Sequence, residues 1–190
     1  ERHDGNSPQL RDTLIALGDA YLANERFEDA ERMFKRSLAI AEAVDGPEHL
    51  NAALALSFLA MTYGPQERWT EAAAVLERVL AIRTRNYDPQ HPDIATTYSA
   101  IAIVHMSMGE YSRALQHLRH ATSILRSRFI NEDIKETQGL LGEQRSVSWA
   151  FQLHAHLALL LNDPLKRTEL ISEALEVIQL SRTSGAAGAL

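Results

Sequence analysis

The chain repeats itself at a fixed interval of 42 residues. Three blocks, which begin at Phe27, Trp69 and Tyr111, each place an aromatic residue three positions before an alanine. Within each interval, apolar residues fall at i, i+4, i+7 and i+11, which is one stripe of an α-helix, and a second helix follows the aromatic residue. The repeat unit is therefore predicted to be a helical hairpin. Further positions keep the same register: Leu10/Ala52/Ile94, Leu14/Leu56/Tyr98, Leu17/Leu59/Ile101, Tyr21/Tyr63/His105, Phe34/Leu76/Leu118 and Ile40/Ile82/Ile124.

A helical hairpin of this size cannot bury its apolar stripe alone. Successive hairpins are expected to stack into an α-solenoid, whose product is an extended concave surface rather than a reaction pocket. The 190 residues then form one elongated all-α domain. This architecture favours a binding function over catalysis.

The register predicts four segments along the chain. Residues 1–129 form three 42-residue hairpins, and residues 130–145, which carry Gly139 and Gly142 among charged residues, form an irregular insertion. Residues 146–183 form a divergent terminal hairpin that resembles a cap, with a break at 162–164. Residues 184–190 have the small-residue composition of a linker or a frayed tail.

Composition excludes several classes of function. The net charge of −6 argues against nucleic acid as a partner, because binding to phosphates needs clustered Lys and Arg. The absence of cysteine excludes disulfides and thiolate metal sites within this sequence. No apolar run approaches the roughly 18 residues of a membrane span, so a cytoplasmic location without a membrane partner is expected. Because the chain begins at Glu1, a removed signal peptide stays open as an alternative.

The first hairpin carries a family resemblance. Leu17, Gly18, Tyr21, Ala30 and Phe34 resemble the signature of the tetratricopeptide repeat. A unit of 42 rather than about 34 residues is similar to the longer repeats of kinesin light chains and their bacterial relatives. The resemblance implies a right-handed superhelix that binds peptides along its concave face.

A second resemblance lies at the end of the chain. Its residues are Glu173, Ala174, Gln179, Arg182, Ser184, Ala187, Ala189 and Leu190. They resemble the segment that joins tetratricopeptide repeats to CHAT domains in bacteria. The resemblance implies a CHAT domain beyond Leu190 in the same polypeptide, a caspase-like peptidase whose catalytic His and Cys lie outside this sequence.

The peptide-binding positions of the family can be carried over by register to the first helix of each hairpin. These positions lack the Lys, Arg and Asn that grip a C-terminal carboxylate, so no carboxylate clamp is expected. Their aliphatic members suit the apolar face of a helix or an extended peptide. The alternative is self-occupancy, in which they pack against the insertion or the next unit. The predicted groove residues are Asp12, Ile15, Asp19, Leu22, Leu54, Ser57, Met61, Thr96, Ser99, Ile103 and Met106.

Histidines and acidic residues outside the groove are expected to be structural. His105 replaces a tyrosine of the earlier hairpins, which predicts a partly buried ring with a hydrogen-bonded edge. Glu31 is expected to be solvated on the outer face of a second helix, together with its neighbours Glu28 and Asp29. No metal site is expected, because neither surface pair, His117/His120 or His154/His156, has a carboxylate in motif spacing. His49 and His91 recur 42 residues apart beside proline, which indicates a structural role at helix starts.

These observations predict a protein–protein interaction scaffold without enzyme activity or cofactor. The favoured function is recognition of a protein, a peptide or a segment of the same polypeptide, as the regulatory region of a CHAT protease-like protein. One alternative is a free-standing adaptor without an attached enzyme. The other is a structural homo-oligomer.

Overall fold

The computed structural model describes residues 7–131, 140–161 and 167–186, and all their regular secondary structure is helical. No helix in these ranges is long and apolar enough to cross a membrane. A short 3-10 turn spans Gly64–Gln66, between the helices that end at Tyr63 and begin at Trp69. The helices are α1 (Pro8–Ala23), α2 (Phe27–Val44), α3 (Leu50–Tyr63), α4 (Trp69–Asn86), α5 (Pro92–Ser107), α6 (Tyr111–Asn131), α7 (Leu140–Leu160) and α8 (Arg167–Ala186).

The chain divides into two compact units. Unit 1, residues 1–88, contains α1 to α4, and unit 2, residues 89–190, contains α5 to α8. In unit 1, α1 packs against α2, α3 against α4, and α2 also contacts α3. In unit 2, α5 packs against α6, α7 against α8, and α6 also contacts α7. Each unit is therefore a pair of stacked helical hairpins, which confirms the predicted all-α class.

The first helices of the three regular hairpins begin at side-chain caps. The hydroxyl of Ser7 accepts a hydrogen bond from the backbone N–H of Leu10, three residues on. His49 and His91 act in the same way, since each ring Nδ1 accepts from a backbone N–H, of Asn51 at 3.1 Å and of Asp93 at 3.2 Å. The structural role expected for these two histidines is confirmed.

The turn inside each regular hairpin uses one left-handed residue at a constant register position. Glu25, Glu67 and Gly109 have φ values of 58°, 57° and 75°. A left-handed conformation costs a non-glycine residue roughly 1–2 kcal/mol, so only Gly109 adopts it without strain. The second helix then begins two residues later, at the aromatic residue that the repeat predicts.

A close contact between Gly18 and Phe34 lies in the core of unit 1. Phe34 is fully buried, and its ring stacks on Phe58 with 5.3 Å between the centroids. A Cβ atom on Gly18 would lie 2.5 Å from the Phe34 ring. Glycine at this position therefore makes room for the phenyl ring. The equivalent pairs in the next two hairpins are Ala60/Leu76 and Ala102/Leu118.

The repeat register resumes in α7. Met61, Ile103 and His156 are each flanked by two buried residues on both sides, which gives α3, α5 and α7 the same burial pattern. His156 lies 53 residues after Ile103, so 11 residues have been added to the 42-residue interval. Leu118, Phe151, Leu157 and other buried residues of α5 to α8 form one core.

The observed helix bounds differ from the predicted segments after Phe129. Of the predicted irregular insertion 130–145, α6 includes the first residues through Asn131 and α7 includes those from Leu140, while 132–139 lie outside the described residues. The predicted break at 162–164 also lies outside them. The helix α8 runs through Ala186, so the described part of the predicted tail is helical.

Candidate binding surface

The predicted groove residues of unit 1 lie on α1 and α3, which contact each other. On α1, Asp12 and Asp19 are exposed, while Ile15 and Leu22 are half-buried. Asp12 accepts a 2.9 Å hydrogen bond from the guanidinium of Arg11. The α1 part of the surface is thus acidic with an aliphatic component.

The α3 part of this surface is apolar. Leu54 is 41% exposed and Met61 is 53% exposed, one above the other on the helix. Ser57 lies between them, half-buried, and its hydroxyl donates to the carbonyl of Ala53 at 2.8 Å. Leu54 and Met61 therefore form an apolar surface, because the hydroxyl between them is already hydrogen-bonded to the helix backbone.

In unit 2, the predicted residues of α5 have mixed positions. Thr96 and Ile103 are exposed. Met106 is half-buried and packs against the unit 2 core. The prediction for Ser99 is wrong, because Ser99 is buried and its hydroxyl donates to the carbonyl of Ala95 at 3.0 Å. Its small side chain is covered where helices pack, so it offers nothing to a ligand.

The helix α7 adds exposed residues that the sequence analysis missed. Trp149, Gln152, His156 and Leu159 are exposed and follow the i, i+3, i+7, i+10 spacing of the predicted groove residues. They were missed because the extra residues before α7 shift the register. The same burial pattern around Ile103 and around His156 shows how the register of α7 aligns with that of α5. We call the exposed series on α1, α3, α5 and α7 the first-helix rows, within each unit.

An ion-pair network joins the two hairpins of unit 1. The Arg68 guanidinium donates to the Glu31 carboxylate at 2.7 Å and to Glu71 at 2.5 Å, and it stacks 4.3 Å above the Tyr63 ring. Lys35 approaches the same Glu31 carboxylate at 2.7 Å. Solvation of Glu31 was therefore predicted wrongly, because its carboxylate is buried among charged partners instead.

The electrostatics of Glu31 follow from this network. Burial opposes ionisation of the carboxyl, but hydrogen bonds from Arg68 and Lys35 outweigh burial and hold its pKa below the usual value of 4.5. The paired Glu31 therefore stabilises the fold at neutral pH, and this stabilisation is lost as the pH falls below about 4.5.

Replacing Arg68 with alanine should lower the thermal midpoint, with a larger loss at pH 7 than at pH 4. The reason is that the buried Glu31 carboxylate loses a partner only when it is ionised. The matched control is Arg26→Ala, 42 residues earlier, since Arg26 stacks on Tyr21 and pairs with Asp29 but has an exposed setting. If the two variants lower the thermal midpoint equally at both pH values, the ion pair of Arg68 with buried Glu31 does not stabilise the fold as described.

The third hairpin reverses the charges of this motif. At the positions of Tyr63, Arg68 and Glu71, it carries His105, Glu110 and Arg113. The ring Nδ1 of His105 lies 2.8 Å from Glu110, which Arg113 also contacts at 3.0 Å. Hydrogen bonds from His105 and Arg113 lower the pKa of Glu110. The prediction that His105 is a buried residue with a hydrogen-bonded edge is confirmed.

The two histidine pairs of unit 2 have different environments. His117 is half-buried with its ring stacked on His105, 5.2 Å between centroids, and His120 is exposed and stacks on Tyr98 at 5.0 Å. His156 is exposed on the α7 row. The surface position predicted for His154 is wrong, since it takes the place of the aliphatic Ile101 one repeat earlier and is buried.

His154 connects three helices of unit 2. Its Nδ1 lies 2.9 Å from the hydroxyl of Thr122 on α6, and its Nε2 lies 2.6 Å from the carboxylate of Glu173 on α8. Arg119 of α6 donates two 2.6 Å hydrogen bonds to Glu173. Burial lowers the pKa of His154, against the opposing effect of Glu173. In a neutral ring, Nε2–H donates to Glu173 and Nδ1 accepts a hydrogen bond from the Thr122 hydroxyl, which also lies 2.8 Å from the carbonyl of Leu118.

Comparisons with known proteins give the family of the chain. The tetratricopeptide repeat model matches residues 9–74 and 51–127. No protein in the search of curated proteins matches it. BtubC (BKLC) from P. vanneervenii superposes with a TM-score of 0.74 at 16% identity, over 94% of this chain and 64% of BtubC, so the chain spans less than two thirds of that protein.

Two further solved structures show the same fold. MamA superposes with a TM-score of 0.62 at 18% identity, over 98% of this chain and 82% of MamA. The kinesin-light-chain TPR-like repeats from Podosopora anserina give 0.61 at 17% identity, over 95% of this chain and 89% of theirs. Because the family model covers more than half of the sequence and the units are stacked helical hairpins, this chain belongs to the tetratricopeptide repeat family.

Proposed function

We propose that this chain recognises proteins through its first-helix rows, which hold a peptide or a segment of the same polypeptide. Tetratricopeptide repeats are typical of non-enzymatic scaffolds for protein–protein interaction. The observation that carries the proposal is the pair of exposed aliphatic side chains on α3, Leu54 and Met61. Exposed aliphatic residues on a regular surface are typical of interaction sites.

The rows suggest the chemistry of the ligand. In unit 1, the aliphatic α3 row lies on the helix next to the acidic α1 row, which carries Asp12 and Asp19. In unit 2, Trp149 is 43% exposed on α7, and tryptophan is enriched among the residues that dominate binding energy. A peptide with aliphatic or aromatic anchors and flanking basic residues fits both features.

A phage-displayed random peptide library, panned on the purified chain, tests this proposal. Enriched peptides should carry aliphatic or aromatic anchors. Leu54→Glu combined with Met61→Glu should weaken their binding about tenfold or more, because a charge replaces apolar contact. We choose these residues rather than Met106, which packs against the core of unit 2.

The matched control is Val44→Glu, which places the same charge on an exposed aliphatic residue at the end of a second helix. This variant should retain peptide binding. Equal loss in both variants, or retention in both with unchanged circular dichroism, would contradict the assignment of the first-helix rows.

We further propose that the recognised segment regulates a CHAT domain of the same polypeptide. Support comes from the resemblance of the residues between Glu173 and Leu190 to the segment that precedes such domains. Sequencing the reading frame past Leu190 tests this. An α/β region with a His and a Cys would support it, whereas an unrelated continuation would favour a free-standing adaptor. The segment boundaries that the sequence predicts at residues 129, 145 and 183 remain part of this proposal.

A further inference from the structure

The helix α8 carries two adjacent apolar stripes. The first stripe, Leu170, Ala174 and Val177, is buried in the unit 2 core. The second stripe lies one residue further along the chain and includes Ile171, which is 40% exposed, and Leu175, which is 61% exposed. One residue corresponds to about 100° of helix rotation, so the second stripe lies beside the first. Ile178 still packs against the core, whereas Ile171 and Leu175 are exposed.

The same second stripe exists on α2 and α6. On α2, it follows the buried residues Ala30, Phe34 and Ala41, and on α6 it follows Ala114 and Leu118. We call it the following-hairpin stripe. Its members are Glu31, Lys35, Leu38 and Glu42 on α2, Leu115, Arg119, Thr122 and Arg126 on α6, and Ile171, Leu175 and Ile178 on α8.

On α2, this stripe contacts the next hairpin of unit 1. Glu31 bonds Arg68 at 2.7 Å, and Glu42 bonds Arg78 of α4 at 2.6 Å. Leu38 packs against the apolar core that α3 and α4 share. The stripe on α2 is therefore an interface between hairpins.

On α6, the stripe contacts the next hairpin of unit 2. Arg119 and Arg126 pair with acidic residues of α8, and Thr122 bonds His154 of α7. Leu115 is buried in the core. The stripe on α8 continues this established interface position, but its aliphatic side chains Ile171 and Leu175 stay exposed.

The side chains of the α8 stripe define the chemistry of what covers it. On α2 and α6, charged members of the stripe pair with opposite charges of the next hairpin, as Glu42 does with Arg78 and Arg126 with Glu176. The three members named on α8 are aliphatic, and the residue at the next position of the same spacing is Arg182. A helix that covers Ile171, Leu175 and Ile178 therefore needs an apolar face.

The two established interfaces define the geometry of this cover. On α2, the apolar contact is made with a first helix, α3, whose Ala52, Ala53 and Leu56 belong to the shared core. On α6, the equivalent contact is with α7, which contributes Ala150 and Ala155. A twofold dimer through α8 would instead pack two second helices together, which is the geometry of neither interface.

We propose that α8 docks an amphipathic helix of a partner protein, whose stripe of alanine and leucine covers Ile171 and Leu175 as α3 covers α2. This surface is separate from the first-helix rows, since it lies on the second helix of the last hairpin. Laying the apolar face of a helix on such a stripe is a common mode of peptide recognition.

The probe is a labelled synthetic helix of about 18 residues, roughly five turns, with alanine and leucine at i, i+4, i+7 and i+11 and balanced charges elsewhere. Fluorescence anisotropy measures its binding to the full chain. Ile171→Gln combined with Leu175→Gln should weaken binding about tenfold or more, because two apolar contacts are lost.

Three controls separate this surface from others. A peptide of the same composition, scrambled so that its apolar residues no longer share a face, should bind far more weakly. Glu169→Gln should leave binding unchanged, because Glu169 is exposed two residues before Ile171, on the other side of the helix. Val44→Gln, which alters an exposed aliphatic residue outside both proposed surfaces, should also leave it unchanged.

Several outcomes would overturn the proposal. These are absence of binding, equal binding of the two peptides, or a loss that Leu54→Gln combined with Met61→Gln causes and Ile171→Gln combined with Leu175→Gln does not. A dimer of the chain that Ile171→Gln and Leu175→Gln dissociate would overturn it in favour of a second copy.

Discussion

Replacing Gly18 with alanine is expected to destabilise the protein by about 1–3 kcal/mol, the cost of overpacking a filled core. The added Cβ would lie 2.5 Å from the ring of Phe34, which is fully buried and stacked on Phe58. The higher helix propensity of alanine returns only about 1 kcal/mol. Chemical denaturation monitored by circular dichroism measures the free energy of unfolding.

The other hairpins supply the control for this prediction. Because they pair alanine with leucine, Phe34→Leu should recover much of the stability lost in Gly18→Ala. The recovery stays incomplete, since leucine cannot restore the stack on Phe58. A double-mutant cycle should give a favourable coupling of about 0.5–3 kcal/mol. Additive losses would show that glycine is not there to admit the phenyl ring.

Replacing His154 with alanine is expected to cost about 1–3 kcal/mol, because buried polar groups of Thr122 and Glu173 lose a partner. Glu173 keeps Arg119, so helix α8 is retained. Thermal unfolding followed by circular dichroism measures the loss. His154→Gln, which keeps a polar group in the same space, should cost less.

The same site predicts a dependence on pH. Because burial lowers the folded-state pKa of His154, unfolding takes up a proton at pH values between that pKa and 6.5. Its contribution to stability is therefore lost as the pH falls below about 6.5. Hydrogen bonds from Arg119, opposed by burial and aided by His154, lower the pKa of Glu173, so further stability is lost below about 4.5.

The pH profile of the His154→Gln variant is the control. The wild-type protein should lose more stability than this variant between about pH 7.5 and 5.5, while the other histidines contribute equally to both. Parallel profiles would mean that His154 does not titrate through this window, and would contradict the burial of a neutral ring.

Much of the helical layout was predictable because it depends on residues close in sequence. Phe27, Trp69 and Tyr111 each begin a second helix, at the predicted residue. His49 and His91 cap first helices through hydrogen bonds to the backbone two residues on. Local hydrogen bonding and a constant register carry such information without knowledge of the tertiary contacts.

The buried polar contacts were not predictable in the same way. Glu31 and Arg68 are 37 residues apart, and Glu31 has an alanine at its equivalent position in the next hairpin. His154 lies beyond the point at which the 42-residue register fails. Its burial depends on Thr122 and Glu173 from two other helices. Solvation is the reasonable expectation for such residues until their partners are located.

The candidate binding surface was predictable only in part. Register predicted the aliphatic pair Leu54 and Met61 on α3 and Ile103 on α5, and all three are exposed. Register also predicted Ser99 as a groove residue, which is wrong because Ser99 is buried. Its exposure depends on how closely the neighbouring helices approach, which the register does not show. Register omitted Trp149, since the extra residues before α7 hide the equivalence.

Hydrogen–deuterium exchange, measured with and without a peptide selected from the library, tests the central proposal most directly. If the first-helix rows bind the peptide, exchange should slow in α1 and α3 of unit 1 or in α5 and α7 of unit 2, while the second helices α2, α4 and α6 stay unchanged. Slowed exchange confined to the second helices, or to α8, would contradict recognition through the first-helix rows.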